Sequence, residues 1–355
     1  MNLAGLDVGL DAGLDAGLNA EHDIELLENF ATEIGSEGSV TVRGGGTQWE
    51  VGGLPKADAR EVKAPTGVWS FAPADMVVRC GAGTTVAELN EKVGRAGQML
   101  PFDPPSPAEA TVGGLLAVGQ NSYRRLRYGP LRDILLQIRF VNSLGQLIRS
   151  GGPTVKNVSG FDLCKLMVGS LGTLGFIAEV ILQCQPVPEA SRWFSGGAMT
   201  IPNKLLAELW QPSSILWNGE QVWVLLEGHR RDIEAASQSA GLTECEPPVT
   251  TDLTSFGKDS RRISLPPATL KQLPKYFPPG SFIAEIGVGV VHLLADQEVP
   301  ADMLPQPDQR SVALQREIKA RFDPSGRMNP GRSVWRAAVF GETVVFRETS
   351  PPDCR

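Results

Sequence analysis

Residues 41–53 read TVRGGGTQWEVGG: an apolar, β-branched run stops at Arg43 and three consecutive glycines follow. Glycine loses more backbone freedom on folding than any other residue, and a tight turn rarely needs three. Two readings stand at this point. The run is a loose loop, or the backbone is bared there so that something bulky and anionic can touch it.

The totals narrow the choice of molecule. A chain of 355 residues exceeds one small core, which predicts two or three subdomains. Hydrophobic residues make up 42% and the net charge is −7, a globular composition that argues against nucleic acid as a partner. No basic cluster precedes an apolar stretch at the start, and no window nears the ~20 apolar residues of a bilayer span. Cys80, Cys164, Cys184, Cys245 and Cys354 are scattered without a C-x-x-C pair. That pattern suits reduced thiols in the cytoplasm and gives no ligand set for zinc or an iron–sulfur cluster, so no metal is expected. The only histidines are His22, His229 and His292.

Along the chain, GLDVGLDAGLDAGLNA near the start has G-x-x-x-G spacing, but Asp7, Asp11 and Asp15 exclude a membrane helix and leave a flexible acidic tail over 1–20. Ile24, Leu26, Leu27 and Phe30 predict a helix over 21–33, and SVTVRGGG reads as strand then turn. DMVVRC at 75–80 predicts a strand and VAELNEKVGRAG a helix, capped by Thr84 or Thr85. The proline-rich LPFDPPSPAEATVGG is expected to lack regular structure. ILLQIRFVNSLGQLI predicts a hairpin turning at Leu-Gly, and FIAEVILQC a strand. Past Pro186 tryptophans appear and prolines cluster, so 187–312 is expected to be a separate α+β domain, with a helix at 313–321 beginning a C-terminal segment over 313–335. Short strands and few long helices make the whole α+β.

GAGTTV at 81–86 follows a strand and precedes a helix, as a dinucleotide fingerprint would. However, Val86 stands where the third small residue belongs, and the acidic residue expected about twenty positions on is replaced by LPFDPPSP. The Walker pattern is absent too. What remains is three glycine-rich turns beside strands: RGGGT at 43–47, TVGG at 111–114 and GSLGTLG at 169–175. Successive backbone N–H groups in such turns form anion nests, with Thr47 able to add a hydroxyl and Arg43 a positive charge. Three in one chain suggest a long ligand that carries phosphate.

The ordered series RGGGT, GAGTTVAELN, LPFDPPSPAEATVGGLLA, RYGPLRD, GGPTVKNVSGFDLCKLMVGSLGTLGFIAEV and FDPSGRMNPGR resembles the flavoproteins of the vanillyl-alcohol oxidase type. Within these it is most similar to the FAD-binding subunits of bacterial glycolate oxidase (glycolate dehydrogenase), especially the smaller E subunit. The resemblance implies a PCMH-type FAD-binding fold of two α/β subdomains over 21–186, plus a smaller α+β domain. It implies that Arg43, Gly44, Gly45, Gly46, Thr47 and Gln48 surround the FAD pyrophosphate. Ser106, Thr111, Gly113 and Gly114 would follow the ribityl and isoalloxazine part, with Ala117 and Asn121 just beyond, and Gly172, Thr173 and Ile177 would meet the flavin or adenine end. Some relatives attach flavin through a histidine after the glycines or a cysteine in the later loop. Thr47 and the lack of cysteine between 81 and 163 imply FAD held without a covalent bond.

The resemblance further implies a complex with a larger FAD-containing glycolate oxidase subunit and an iron–sulfur subunit, a small 2-hydroxy acid as substrate, and at most peripheral attachment to the inner face of the membrane through partners. Catalytic members carry G-x-x-G-D-G-N-x-H in the C-terminal domain. Here the counterpart is FIAEIGVGVVHLL, which keeps only Glu285 and His292 as polar groups, so no catalytic residue is assigned. Two other readings remain open: a self-sufficient flavin oxidoreductase of a 2-hydroxy acid, and a scaffold whose flavin does no chemistry.

Overall fold

The computed structural model describes residues 20–104, 106–153, 162–197, 202–248, 261–294, 297–300, 303 and 309–334. The acidic repeat of the first nineteen residues, the KNVSGF part of the long motif and Cys354 lie outside them.

The chain opens with helix α1 (Ala20–Ile34), whose Leu27, Phe30 and Ile34 are three and four residues apart and fall on one buried face. They pack with Val40 of β1 (Val40–Val42) and Val62 of β2 (Arg60–Val62), a parallel pair, and with Met328 from the far end of the chain. Burying each such side chain stabilises by roughly 1.5–3 kcal/mol. β3 (Val68–Ala72) and β4 (Val77–Gly81) form a hairpin; β4 starts later than the sequence suggests because Met76 takes a left-handed φ of 54° in the turn. Helix α2 (Val86–Gly94) follows, with Thr85 as its cap: the hydroxyl accepts from the Glu88 N–H at 3.2 Å. Thr84, the other candidate, is buried and bonds to Gly67 instead.

β5 (Gln98–Met99) leads into the proline-rich passage, then helices α3 (Val112–Val118) and α4 (Arg125–Tyr128). β6 (Leu135–Val141) and β7 (Leu147–Gly151) form the expected hairpin, with Gly145 left-handed in its turn. Helix α5 (Leu163–Met167) precedes β8 (Phe176–Gln183), whose first seven residues are all buried. β8 lies in the middle of a five-stranded antiparallel sheet ordered β3-β4-β8-β6-β7. Across that sheet Arg79 is clamped between Asp23 of α1 at 3.1 Å and Glu179 of β8 at 2.9 Å, all buried.

The short β9 (Gln185–Pro186) ends this part. A second sheet is built from β10 (Ala190–Gly196), β11 (Ser214–Trp217), β12 (Val222–Gly228), β13 (Thr243–Cys245), β14 (Arg261–Ser264), β15 (Phe282–Glu285) and β16 (Val290–Leu293). Its order is β13-β10-β12-β11-β15-β16-β14, and helices α6 (Pro202–Glu208) and α7 (Arg230–Ser239) cover it around a core of its own. Among the described residues this sheet has seven strands, against five in the main sheet of the first domain. Helix α8 (Gln309–Phe322) then returns the chain to the first domain, where Met328 pairs in parallel with Val40. The α+β expectation holds.

Candidate functional site

A cleft with about 810 Å³ of space, the open solvent at its mouth included, lies in the first domain. Its main walls are the glycine turn after β1, helix α3, the turn before β8 and the C-terminal segment after α8, with Ala64, Ala82 and Gly83 beside them.

The glycine turn is bared first of all by another piece of chain. A Cβ on Gly44 would run into the Thr111 hydroxyl, and one on Gly45 into the Glu109 carbonyl. Two backbones cross there too closely for any side chain, and only Gly46, at φ +76°, needs glycine for its own conformation. This crossing brings 44–46 and 111–114 to one side of the cleft, so the bare backbone that faces a ligand is a by-product of close packing.

The expectation that LPFDPPSPAEATVGG lacks regular structure fails at its end. Thr111 caps α3, accepting from the Gly114 N–H at 3.2 Å, so TVGG is the start of a helix and not a turn. The turn at 169–175 is docked on the same helix: Gly169 N–H donates to Leu116 O at 2.9 Å and Leu171 N–H to Ala117 O at 2.8 Å. Leu171 and Gly172 both have positive φ, 54° and 67°, which points their carbonyl and amide groups away from a regular strand.

The fourth wall was not foreseen residue by residue. Arg327 donates to the carbonyls of Ile34, Gly35, Glu37, Gly38 and Ser143, fastening the C-terminal segment to the start of the domain. Asn329 then receives the Thr41 hydroxyl and donates to Leu171 O, and Arg332 donates to Val51 O at 2.9 Å and Trp49 O at 2.6 Å. The Arg332 guanidinium lies 4.4 Å from the centre of the Trp49 ring, and Arg43 lies 4.9 Å from the same ring. Burial pushes Arg332 down to about 10, still charged at neutral pH.

Residues 24–151 match the family described as "FAD binding domain". The chain carries an FAD-binding domain. It is 31% identical over 224 residues to "Glycolate oxidase subunit GlcE" of Escherichia coli (strain K12), covering 61% of this chain and 63% of that one. It is 38% identical over 149 residues to "D-lactate dehydrogenase" of Archaeoglobus fulgidus, 41% of this chain and 33% of that one. To "Glycolate oxidase subunit GlcD" of Bacillus subtilis (strain 168) it is 36% identical over 110 residues, 31% of this chain and 23% of that one. The chain thus spans less than two thirds of the length of these curated relatives. A solved alkyldihydroxyacetonephosphate synthase superposes with a TM-score of 0.60 over 87% of this chain and 74% of its own, at 15% identity, a likeness of fold alone.

Of the residues expected to meet FAD, Gly44, Gly45, Gly46, Thr47, Gln48, Thr111, Gly113, Gly114, Ala117, Gly172 and Ile177 line the cleft of this FAD-binding domain. Four do not. Arg43 turns onto Trp49 and toward Glu61, 3.7 Å away. Ser106 instead accepts, through its carbonyl, from the Glu109 and Ala110 N–H groups. Asn121 braces the next turn, accepting from Leu131 N–H and donating to Gly119 O. Thr173 is buried, its hydroxyl on Ser170 O. Trp49, Leu171, Asn329 and Arg332 line the cleft and were missed, although MNPGR belongs to the resemblance and its asparagine and arginine were the available signal. Among the described residues no histidine or cysteine lines the cleft.

The polar groups beyond the FAD cleft are mostly committed to one another. Arg124 bridges Asp103 at 3.5 Å and Glu227 of the second domain at 3.3 Å, and Arg127 donates to the Glu227 carbonyl. Burial raises Asp103, and Glu227 adds to this, while Arg124 and Ser122 oppose it. Burial also pushes Tyr128 up to about 12, with Glu227 reinforcing the shift. Arg125 has no carboxylate at ion-pair distance among the described residues, and shares a small side pocket with Ser122 and Tyr128. His292 Nε2 sits 2.9 Å from Glu285 Oε1, both buried in the second sheet and neither lining the cleft. His229 is on the surface, pairing with Glu189 at 3.0 Å. No three His, Cys, Asp or Glu side chains gather as a metal site among the described residues, and no helix there is long and apolar enough to cross a membrane.

Proposed function

We propose that this chain is the FAD-binding subunit of a complex that oxidises glycolate, or a similar small 2-hydroxy acid, to the 2-oxo acid. The observation that carries this is the cleft itself, with its glycine walls and a half-buried arginine, in a chain similar to named glycolate oxidase subunits. The residues present fit the cofactor: exposed backbone N–H groups and Arg332 suit its phosphates, and the apolar Val42, Leu115, Val118 and Phe176 suit its rings. Among the described residues neither histidine nor cysteine lines the wall, which supports a flavin held non-covalently.

Bound there, FAD supplies the two-electron acceptor for hydride leaving the substrate's α-carbon. The chain's own part is to hold and orient it. The substrate carboxylate needs a cation, and of Arg124, Arg125 and Arg127 it is Arg125 that has no carboxylate partner among the described residues, while the other two are engaged by Glu227. The hydroxyl proton needs a base, and among the described residues no histidine or carboxylate lines the cleft. The base and the onward electron path therefore belong to partner chains, a larger FAD-containing subunit and an iron–sulfur subunit.

Flavin released by heat from the purified protein, identified by chromatography, tests the cofactor. Stopped-flow reduction by glycolate, of the lone chain and of the assembled complex, tests the division of labour. A colourless chain that takes up no FAD overturns the cofactor reading; rapid reduction of the lone chain overturns the need for partners.

A further inference from the structure

An arginine placed only to brace a loop has no reason to draw a charge that nothing balances partly out of water. Arg332 does brace the loop after the glycine turn, through its two donations to Trp49 O and Val51 O. Yet among the described residues no carboxylate stands within ion-pair distance of it, and its Nε is buried without a partner. Arg43, on the same tryptophan, has Glu61 beside it. A neutral side chain would brace equally well without the desolvation cost of an unmatched cation. The charge is matched only when an anion enters the cleft that Arg332 lines.

We propose that Arg332 is a cofactor-binding residue, the cation that meets the diphosphate bridge of FAD while the Gly44–Gly46 backbone meets its oxygens. The assignment rests on the FAD reading of this cleft. Guanidinium suits the role because its planar fork of donors matches phosphate oxygens, and stacking on Trp49 fixes its plane before the ligand arrives. It also gives the C-terminal segment a function: without residues 327–332 the cleft keeps its glycines and loses its positive charge.

The test uses apoprotein titrated with FAD and, separately, with riboflavin, which has the ring system and no phosphate. In R332Q we expect FAD affinity to fall at least tenfold, riboflavin affinity to change less than threefold, and the salt dependence of FAD binding to flatten. R332K, which keeps the charge, should recover most of the FAD affinity. Unchanged FAD binding in R332Q overturns the proposal. So does an equal loss for FAD and riboflavin with unaltered salt dependence, the result of a loop brace alone. Wild-type protein that binds neither flavin would instead remove the cofactor reading on which the proposal stands.

Discussion

The side-chain amide of Asn329 donates to the main-chain carbonyl of Leu171, 158 residues earlier, and both residues hold left-handed backbone, at φ 46° and 54°. Two uncommon conformations are thus held together by one buried bond, with the Thr41 hydroxyl bonded to the other end of the same amide. Asn329→Ala would leave the Leu171 carbonyl and the Thr41 hydroxyl unsatisfied, at ~1–3 kcal/mol for each buried group, and place a poor left-handed residue there. We expect a drop of roughly 2–4 kcal/mol by urea denaturation, with FAD affinity falling in parallel. Asn329→Gly, relieved of the backbone strain, should lose about 1 kcal/mol less. Equal stability in all three proteins would show that the bond does not order the cleft.

The crossing of Gly45 over Glu109 makes a different kind of demand. A single methyl at Gly45 meets backbone, which cannot swing aside as a side chain would. Gly45→Ala should therefore displace the turn and weaken FAD binding more than tenfold, without any change of charge. Gly94 is the control, since a Cβ there meets nothing within 4 Å. As the last residue of α2 it should accept alanine with no loss, and a gain of up to ~1 kcal/mol from helix propensity. If Gly45→Ala binds FAD as the wild type does, the crossing is looser than its geometry indicates.

What the sequence made legible follows from the range of the forces involved. α2 was readable because Val86, Leu89 and Val93 repeat at helical spacing behind a threonine cap, and the β6–β7 hairpin because its apolar run is broken by one short turn. These are local patterns. The purpose of the triple glycine was not local: it depends on residues 109–111 passing overhead, which no periodicity records. Thr111 looked like part of a proline-rich loop because the prolines before it hide the cap. Asn329 and Arg332 carry no local pattern because their partners Thr41 and Trp49 lie 288 and 283 residues away.

The junction between the two domains carries its own pH signature. Arg124 joins Asp103 to Glu227, whose side chain has no exposure, and Ser191 also donates to Glu227 at 3.0 Å. Arg124→Ala would strand that buried carboxylate, at a cost of roughly 3–5 kcal/mol. Asp103 behaves oppositely. Its folded pKa is raised above the ordinary 3.8, chiefly by burial, so the folded state holds its proton longer than the unfolded chain does. Its contribution to stability is thus greatest at low pH and is lost as pH rises from about 3.8 through the raised folded value. Asp103→Asn should cost little at pH 7, within ~1 kcal/mol, and wild type should gain on it as pH is lowered toward 4. Urea midpoints of both proteins across that range measure this, and a gap that instead widens in favour of wild type with rising pH would show that the Arg124 attraction dominates.

The Nε2 of His292 is taken by Glu285 at 2.9 Å, and both residues are buried in the second sheet. It does not line the cleft, and its neighbours Val291 and Leu293 are core residues. A general base must reach the proton it removes, directly or through one water, and its loss ordinarily lowers the rate ~10²–10⁴-fold. His292→Ala should therefore slow glycolate oxidation by the assembled complex less than about tenfold, well under that range. Its cost should appear in the second domain, where Glu285 loses a buried partner and stability falls by ~1–3 kcal/mol. His292→Gln, able to donate to Glu285, should restore much of that stability. The decisive comparison is single-turnover flavin reduction against thermal melting in the same preparations. A hundredfold slower reduction in both variants, with the melting temperature of the glutamine variant unchanged, would place His292 in the chemistry and make this chain a catalyst in its own right.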